Sequence, residues 1–233
     1  MANKIRWLGH AAFEITTAQG CRILIDPWLT GNPSCPVKAA DVAGADLILI
    51  THDHHDHYGS DLPELVKANS IVVGQPEVVA QVKQDGIAAE NVINSGSGMN
   101  IGGTVTVRDV KVTMTQAVHS SAAGTPCGFI VTLEDGTVIY HAGDTGIFAS
   151  MKLFGELYDL DVALLPIGSA FVMDPLQAAK ALQLLQPKIA IPMHYKTFAA
   201  LEQSPDSFLT FAREKAPQVE IRILQPGETT NIG

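Results

Sequence analysis

The sequence predicts an α/β fold in which two β-sheets pack face to face and helices cover them on the outside. Two observations lead to this prediction: strand-rich and helix-rich stretches alternate twice along the chain, and no linker-like stretch separates them. Of the 233 residues, 46% are hydrophobic and 17% are charged, so the chain can bury a sizeable core. We therefore expect residues 1–233 to form a single domain.

The elements of the first half follow from apolar periodicity and from turn and capping residues. Apolar alternation predicts three strands within residues 4–26. The other elements expected in this half are strands at 47–50 and 71–73 and helices at 62–68 and 76–84. Asp61 is the expected N-cap of the first helix. The loop Leu29–Val42, rich in glycine, proline and serine, is expected to form one wall of the substrate pocket.

The second half is predicted in the same way. Its expected elements are strands at 105–107, 110–118, 129–131, 138–140, 160–167, 189–191 and 219–224 and helices at 175–185 and 205–215. Asp174 is the expected N-cap of the first of these helices, with Pro175 at the first helical position and Gln177 reaching back to the cap.

The residues that carry chemistry are concentrated directly after the apolar run 47–50. The stretch His52–His57 holds four histidines and two aspartates in six residues. Imidazole nitrogens and carboxylate oxygens are ligands that borderline divalent metals prefer. A tight turn would let His52 and His54 reach one metal, while Asp56 and His57 reach a second. The alternative is a polar loop that is merely rich in histidine.

Other polar residues stand at the ends of predicted strands. Asp144 follows a glycine and offers one carboxylate oxygen to each of two metals, although an Asx turn would also suit its position. His10, between the first two strands, is either a buried turn histidine or part of the wall of the metal cleft. His141 is a supporting partner of a ligand, a proton carrier or a structural histidine.

The pattern His52-x-His54-x-Asp56-His57 resembles the metallo-β-lactamase superfamily. A histidine after a strand, a Gly-Asp-Thr and a late histidine follow in the order that the family shows; they are His119, Gly143-Asp144-Thr145 and His194. Four further stretches narrow the resemblance to prokaryotic metal-dependent hydrolases similar to ascorbate-6-phosphate lactonase and N-acyl-phosphatidylethanolamine phospholipase D. They are Trp7–His10, Ile25–Trp28, Tyr140–Thr145 and Ile191–Tyr195.

The resemblance implies a four-layer αββα sandwich with two mixed sheets. It also implies two divalent metal ions: His52, His54 and His119 hold the first, Asp56, His57 and His194 hold the second, and Asp144 bridges them. Zinc is the first expectation, and manganese or iron also suit a set without cysteine. A flavodiiron oxidoreductase, which has a similar fold, would carry a glutamate at the position of His54.

The implied chemistry is hydrolysis by a metal-bridged hydroxide of a small-molecule ester, lactone or phosphodiester. Asp56 and Asp144 would hold the metals. His10, His141, Tyr195 and Lys196 are the candidate proton donors to the leaving group, and the two histidines rank first because imidazole titrates near neutral pH. Two alternatives stay open: a phospholipase D-like phosphodiesterase that acts on lipid, and a metal-binding regulator without catalysis.

Composition narrows the partners further. A net charge of -9 without a lysine or arginine run disfavours nucleic acid. No apolar run approaches the ~18 residues of a membrane span, so no stable membrane insertion is expected. The three cysteines are odd in number and dispersed, which favours a reducing cytoplasm. A small-molecule substrate is the expected partner, and a homo-oligomer is left open.

Overall fold

The computed structural model of the protein describes residues 2–232 and contains two mixed β-sheets. The strands of the six-stranded first sheet are β1 (Asn3–Gly9), β2 (Ala12–Thr16), β3 (Arg22–Ile25), β4 (Leu47–Leu49), β5 (Ile71–Val73) and β13 (Thr229–Ile232). Those of the seven-stranded second sheet are β6 (Thr104–Val107), β7 (Val110–Gln116), β8 (Cys127–Thr132), β9 (Val138–His141), β10 (Val162–Pro166), β11 (Ile189–Met193) and β12 (Glu220–Ile221).

Each sheet combines an antiparallel part with a parallel part. The strand order of the first is β13-β1-β2-β3-β4-β5, and the pairs β3–β4 and β4–β5 are parallel. The order of the second is β12-β11-β10-β9-β8-β7-β6, and its four strands from β9 to β12 are parallel. The predicted pair of mixed sheets is therefore confirmed.

Eight helices and helical turns connect the strands in residues 2–232. They are α1 (Ala39–Val42), α2 (His55–Tyr58), α3 (Leu62–Leu65), α4 (Pro76–Gln84), α5 (Ile93–Gly96), α6 (Met151–Leu157), α7 (Pro175–Leu185) and α8 (Asp206–Lys215), with a 3₁₀ turn at Ala89–Asn91. The cap of α7 is the one predicted, since the Asp174 carboxylate accepts the N–H of Gln177 at 2.7 Å. None of these helices has the length and apolar character that a membrane crossing requires.

The core lies between the sheets and extends beneath the helices. Phe13 of the first sheet and Phe129 of the second belong to one buried cluster, which also takes in Leu182 of α7 and Phe208 of α8. A second cluster on the other face of the first sheet joins Ile48 to the helices α1, α3 and α4. Strand β10 is buried at every position, which explains why its sequence is a continuous apolar run.

The parallel strands determine where polar residues meet. The carboxyl ends of parallel neighbours lie at the same edge of a sheet. Asp26 follows β3, His52 follows β4, Asp144 follows β9 and His194 follows β11. The face-to-face packing brings the two edges together, since the N–H of Cys127 in β8 donates to the carbonyl of Thr51 beyond β4 at 3.1 Å.

Two predicted elements differ most in extent from the structure. The helix expected at 62–68 ends at Leu65, and the Asp61 carboxylate makes no cap. It accepts the N–H groups of Leu29 and Thr30 at 3.1 and 2.9 Å, so it anchors the neighbouring loop. The strand expected at 219–224 is reduced to Glu220–Ile221.

The strand that closes the first sheet lies at the C-terminal end of the described chain and is missing from the prediction. Strand β13 pairs antiparallel with β1, with Ile232 opposite Asn3 and Thr229 opposite Arg6. Its alternation is weak, because Ile232 is the one apolar residue in Thr229–Ile232. Ile232 is only 2% exposed and joins the main core cluster, so a single side chain secures this edge strand.

This anchor is testable by substitution. Ile232→Ala should lower the free energy of unfolding by about 2–4 kcal/mol, because it leaves a cavity in the core. Thr229→Ala on the exposed face of the same strand should lower it by less than about 0.5 kcal/mol. Urea denaturation measures both, and equal effects of the two substitutions would show that β13 contributes through its backbone alone.

Candidate metal centre

The backbone of the histidine-rich stretch changes direction between His54 and His57, so its side chains fall into two sets. It bends at Asp53, is extended at His54 and then turns into α2, where the N–H groups of His57 and Tyr58 both donate to the carbonyl of His54. Gly59 ends this turn with a φ of +63°, against the backbone of Trp28, where a Cβ would come within 3.0 Å. The residues before and after the turn therefore serve different groups.

The first group is His52, His54 and His119, with one nitrogen of each ring within 4.8 Å of the others. The Thr51 hydroxyl donates to Asp26, so Nδ1 of His52, at 2.9 Å, must donate to that hydroxyl, which leaves Nε2 with a free lone pair. His54 Nδ1 and His119 Nε2 lie 3.3 Å apart. Two donors on one tetrahedral Zn²⁺ with bonds of about 2.0–2.1 Å are also separated by about 3.3 Å.

The second group is His10, Asp56, His57 and His194, again with donor atoms within 4.8 Å of one another. Three of these are the predicted ligands of a second metal. The fourth, His10, reaches the group through a 3.2 Å contact between its Nε2 and Asp56 Oδ2.

Asp144 lies between the two groups. Its Oδ1 is 3.1 Å from His57 Nε2, and its Oδ2 is 3.0 Å from His194 Nε2 and 3.5 Å from His119 Nε2. Gly143 brings the aspartate this close, since it has a φ of +62° and any Cβ there would collide with the Cys127 carbonyl. The structure thus brings together all seven predicted ligand residues.

The buried atoms of the site test whether a metal fits. Among residues 2–232, seven buried side-chain nitrogen or oxygen atoms have no hydrogen-bond partner, and five of them belong to His52, His57, Asp144 and His194. The contacts of Asp144 with His57 and His194 are short but out of line for hydrogen bonds. Buried polar atoms are rarely left unpaired in folded proteins, so bound cations account for His52 Nε2, His57 Nε2, Asp144 Oδ1 and one of the two His194 nitrogens.

The charge states also suit a cation. Burial lowers the pKa of His52 to about 3 and lowers that of His119, so both rings are neutral. Burial alone would raise the pKa of Asp144, but His194 and His57 hold it well below its usual range. Burial alone would lower the pKa of His57, but Asp144 and Asp26 hold it well above the ordinary value. The carboxylates of Asp144 and Asp26 are therefore stabilised by a positive charge near His57. A metal ion would supply this charge in place of the His57 proton.

Asp26 is one residue of the candidate site that the sequence prediction missed. Its buried carboxylate accepts from His57 Nδ1 at 2.7 Å, which leaves His57 Nε2 for the centre of the site. It also accepts the N–H of Thr51 at 2.8 Å. The signal was present, because Asp26 ends a strand next to the strand that delivers the histidines.

Asp53, between the predicted ligands His52 and His54, holds the loop that carries the third predicted ligand, His119. Its carboxylate accepts the Ser121 hydroxyl at 2.7 Å and the N–H of Ala122 at 3.0 Å. The Thr145 hydroxyl accepts the N–H of Val118 at 2.9 Å on the other side of His119. His119 lies three residues beyond the end of β7, so these contacts fix its position.

Neither His10 nor His141, the histidines predicted to donate a proton, lines the cavity over the site. His141 is fully buried; its Nε2 is 2.9 Å from the Ala11 carbonyl and its Nδ1 accepts the N–H of Gly143, so both nitrogens are occupied by backbone groups. The predicted proton transfer by His141 does not fit this geometry. His10 is also fully buried, between Asp56 and the Thr197 hydroxyl, and positions Asp56 from behind.

An open cavity of about 460 Å³ lies over the two groups. It is lined by His54, His55, Asp56, His119, Ser120, Asp144, Phe171, His194 and Phe198. The loop Leu29–Val42 contributes no lining residue, so its predicted role as a pocket wall is wrong. Asp61 and the helices of the first sheet hold that loop, and the apolar walls are Phe171 and Phe198 instead.

The support of His57 by Asp26 predicts a loss of metal affinity on substitution. Asp26→Asn should weaken metal binding about 10- to 100-fold, because the amide cannot accept from Thr51 and His57 with both of its polar atoms. Asp46→Asn is the matched control, since Asp46 also accepts a strand N–H, from Arg22 at 2.9 Å, at the opposite end of β4. Competition with a chromophoric chelator measures the metal affinity of both variants. Equal affinities of Asp26→Asn and Asp46→Asn would show that Asp26 does not support metal binding.

Comparison with known proteins gives the family. The model of the β-lactamase superfamily domain matches residues 21–195. The UPF0173 metal-dependent hydrolase of Methanopyrus kandleri is 46% identical, over 97% of this chain and 98% of that protein. Its counterpart in Caldivirga maquilingensis is 44% identical, over 98% of this chain and 97% of its own.

The solved structure of Igni18, a novel metallo hydrolase from Ignicoccus hospitalis, is 37% identical with a TM-score of 0.87, over 99% of this chain and 98% of that chain. The chain therefore belongs to the UPF0173 metal-dependent hydrolases of the β-lactamase superfamily.

Proposed function

We propose that this protein hydrolyses an ester, lactone or phosphodiester bond of a small molecule with the help of two divalent metal ions. The observation that carries the proposal is the position of Asp144 between two separate groups of imidazole and carboxylate donors. A structural zinc site would be closed, whereas both groups here border an open cavity.

Each side chain has a distinct part in this proposal. His52, His54 and His119 would hold one ion, Asp56, His57 and His194 would hold the other, and Asp144 would contact both. Paired divalent ions supply a water of lowered pKa and polarise the oxygen of the scissile bond. Asp26 fixes the orientation of His57, and His10 fixes that of Asp56. The protein contributes fixed donors, so little reorganisation is needed when the substrate binds.

The size of the cavity favours a small molecule. A volume of about 460 Å³ falls within the roughly 300–1,000 Å³ of small-molecule sites. The net charge of -9 opposes a long polyanion, because no lysine or arginine run offsets it. These observations favour a metabolite over nucleic acid.

Metal content tests the two-ion proposal. Protein purified without chelator should contain close to two transition-metal ions per chain, and the pair His52→Ala with His54→Ala should lose at least one. His55→Ala is the matched control, because His55 lies in the same stretch with its side chain 80% exposed and should leave the content unchanged. Elemental analysis measures the ratio, and less than one ion in metal-replete wild type excludes a dinuclear centre.

Activity tests the class of bond. Wild type and Asp144→Asn are offered aryl esters, lactones, bis-aryl phosphodiesters, phospholipid vesicles and a precursor tRNA. For one small substrate, kcat/KM should fall by about three orders of magnitude in the variant, because both ions lose their shared carboxylate. Asp46→Asn should keep full activity. Cleavage of phospholipid or tRNA alone would contradict the small-molecule proposal and leave the metal centre standing.

A further inference from the structure

The cavity above the metal centre has two aromatic walls. Phe198 is held in a fixed orientation, since its ring stacks on Trp28 at 5.9 Å and meets the edge of His10 at 5.5 Å. Phe171 is 60% exposed although it lines the same cavity. An aromatic ring this exposed at the mouth of a site gains free energy when an apolar group of a ligand covers it.

The loops that carry these rings are tied to each other. The Ser169 hydroxyl donates to the Glu202 carboxylate at 2.6 Å, and the N–H of Glu202 donates to the Gly168 carbonyl at 3.3 Å. Ser169 and Leu201 also form an isolated antiparallel bridge. Phe171 and Phe198 therefore belong to one connected rim, and a preformed rim loses little entropy on binding.

The side chains around the cavity do not favour an anionic group on the substrate away from the scissile bond. Within residues 2–232, no lysine or arginine lines it. The carboxylates of Asp26, Asp56 and Asp144, with the hydroxide that the reaction requires, offset the four positive charges of two divalent ions. Lys196, on the loop of Phe198, lines a different cavity beside Trp7 and Tyr195. An anionic group away from the scissile bond would lose part of its hydration and find no lysine or arginine among the lining residues to replace it.

We infer that the substrate is uncharged apart from its scissile group and places a flat apolar group against Phe171 and Phe198. His55 and Ser120 are the lining groups outside the metal set that can hydrogen-bond a neutral polar atom. The inference rests on the proposed function for the reaction itself. It disfavours phosphorylated sugars and other substrates with a remote phosphate or carboxylate.

Equilibrium binding of a matched pair of probes tests the inference without turnover. N-phenyl-1-naphthylamine is neutral, and 1-anilinonaphthalene-8-sulfonate is the same skeleton with one negative charge. Fluorescence titration of metal-loaded protein should give a Kd for the neutral probe at least about tenfold lower. Phe171→Ala should weaken the neutral probe by about tenfold, because it removes one aromatic wall.

A charge placed on the rim gives the sharper contrast. Phe171→Lys should tighten the sulfonate by about tenfold and weaken the neutral probe, so that the preference reverses. Leu157→Lys adds the same charge at a position that is 72% exposed and outside the cavity, and should change neither Kd more than about twofold. Equal binding of the two probes by wild type, or identical titrations of wild type and Phe171→Ala, would overturn the inference.

Turnover separates this inference from the proposed function. 4-Nitrophenyl butanoate and 4-nitrophenyl hemisuccinate share the scissile ester and differ in one remote carboxylate. The neutral ester should have a kcat/KM at least about tenfold higher in wild type, and Phe171→Lys should narrow the gap. Equal hydrolysis of both esters overturns the inference and keeps the proposed function. If no ester, lactone or phosphodiester is hydrolysed, the proposed function is overturned. The probe titration still shows whether the rim prefers a neutral ligand to an anionic one.

Discussion

The buried carboxylate of Asp26 is the interaction on which the rest of the site depends. It accepts the backbone N–H and the hydroxyl of Thr51 and the Nδ1–H of His57, all within 2.8 Å. The Thr51 hydroxyl in turn determines which nitrogen of His52 is free. One charge therefore sets the tautomers of two candidate ligands on either side of a turn. A buried carboxylate is costly unless it is fully paired, and these three donors provide the pairing.

The backbone around this carboxylate is held in conformations that L-residues rarely adopt. His10, Asp26 and His194 all have positive φ, between 47° and 56°. Such residues cost of order 1–3 kcal/mol each and persist only where the surroundings impose them. Here the carbonyl of His10 accepts both the N–H of His194 and the indole N–H of Trp7. The packed sheets thus supply the stability that places three site residues in strained positions.

Local sequence signals predicted most of the fold and the core of the site. Apolar alternation and continuous apolar runs located most strands of both sheets, and the dense run at His52–His57 located the candidate metal centre. Strand β13 was not predicted, because three of its four residues are polar and only its pairing with β1 identifies it as a strand. The role of Asp26 and the actual roles of His10 and His141 were not predicted, because they are determined by hydrogen-bond partners that are distant in the sequence. Phe171 and Phe198 escaped because their shared cavity forms only when two loops meet.

The metal centre and the cavity above it are two consequences of the same charge balance. The buried imidazole of His52 is kept neutral by the cost of desolvation, and the buried carboxylate of Asp144 stays ionised because positive charge faces it. Metal ions bound at Asp144 and its neighbours would neutralise the inner part of the site as well as supply the proposed reactivity. Once these charges are matched internally, the outer part of the site needs no further charged groups. Its walls are then free to be aromatic, and the selectivity inferred above would come from apolar contact with Phe171 and Phe198 beside the polar metal-binding residues.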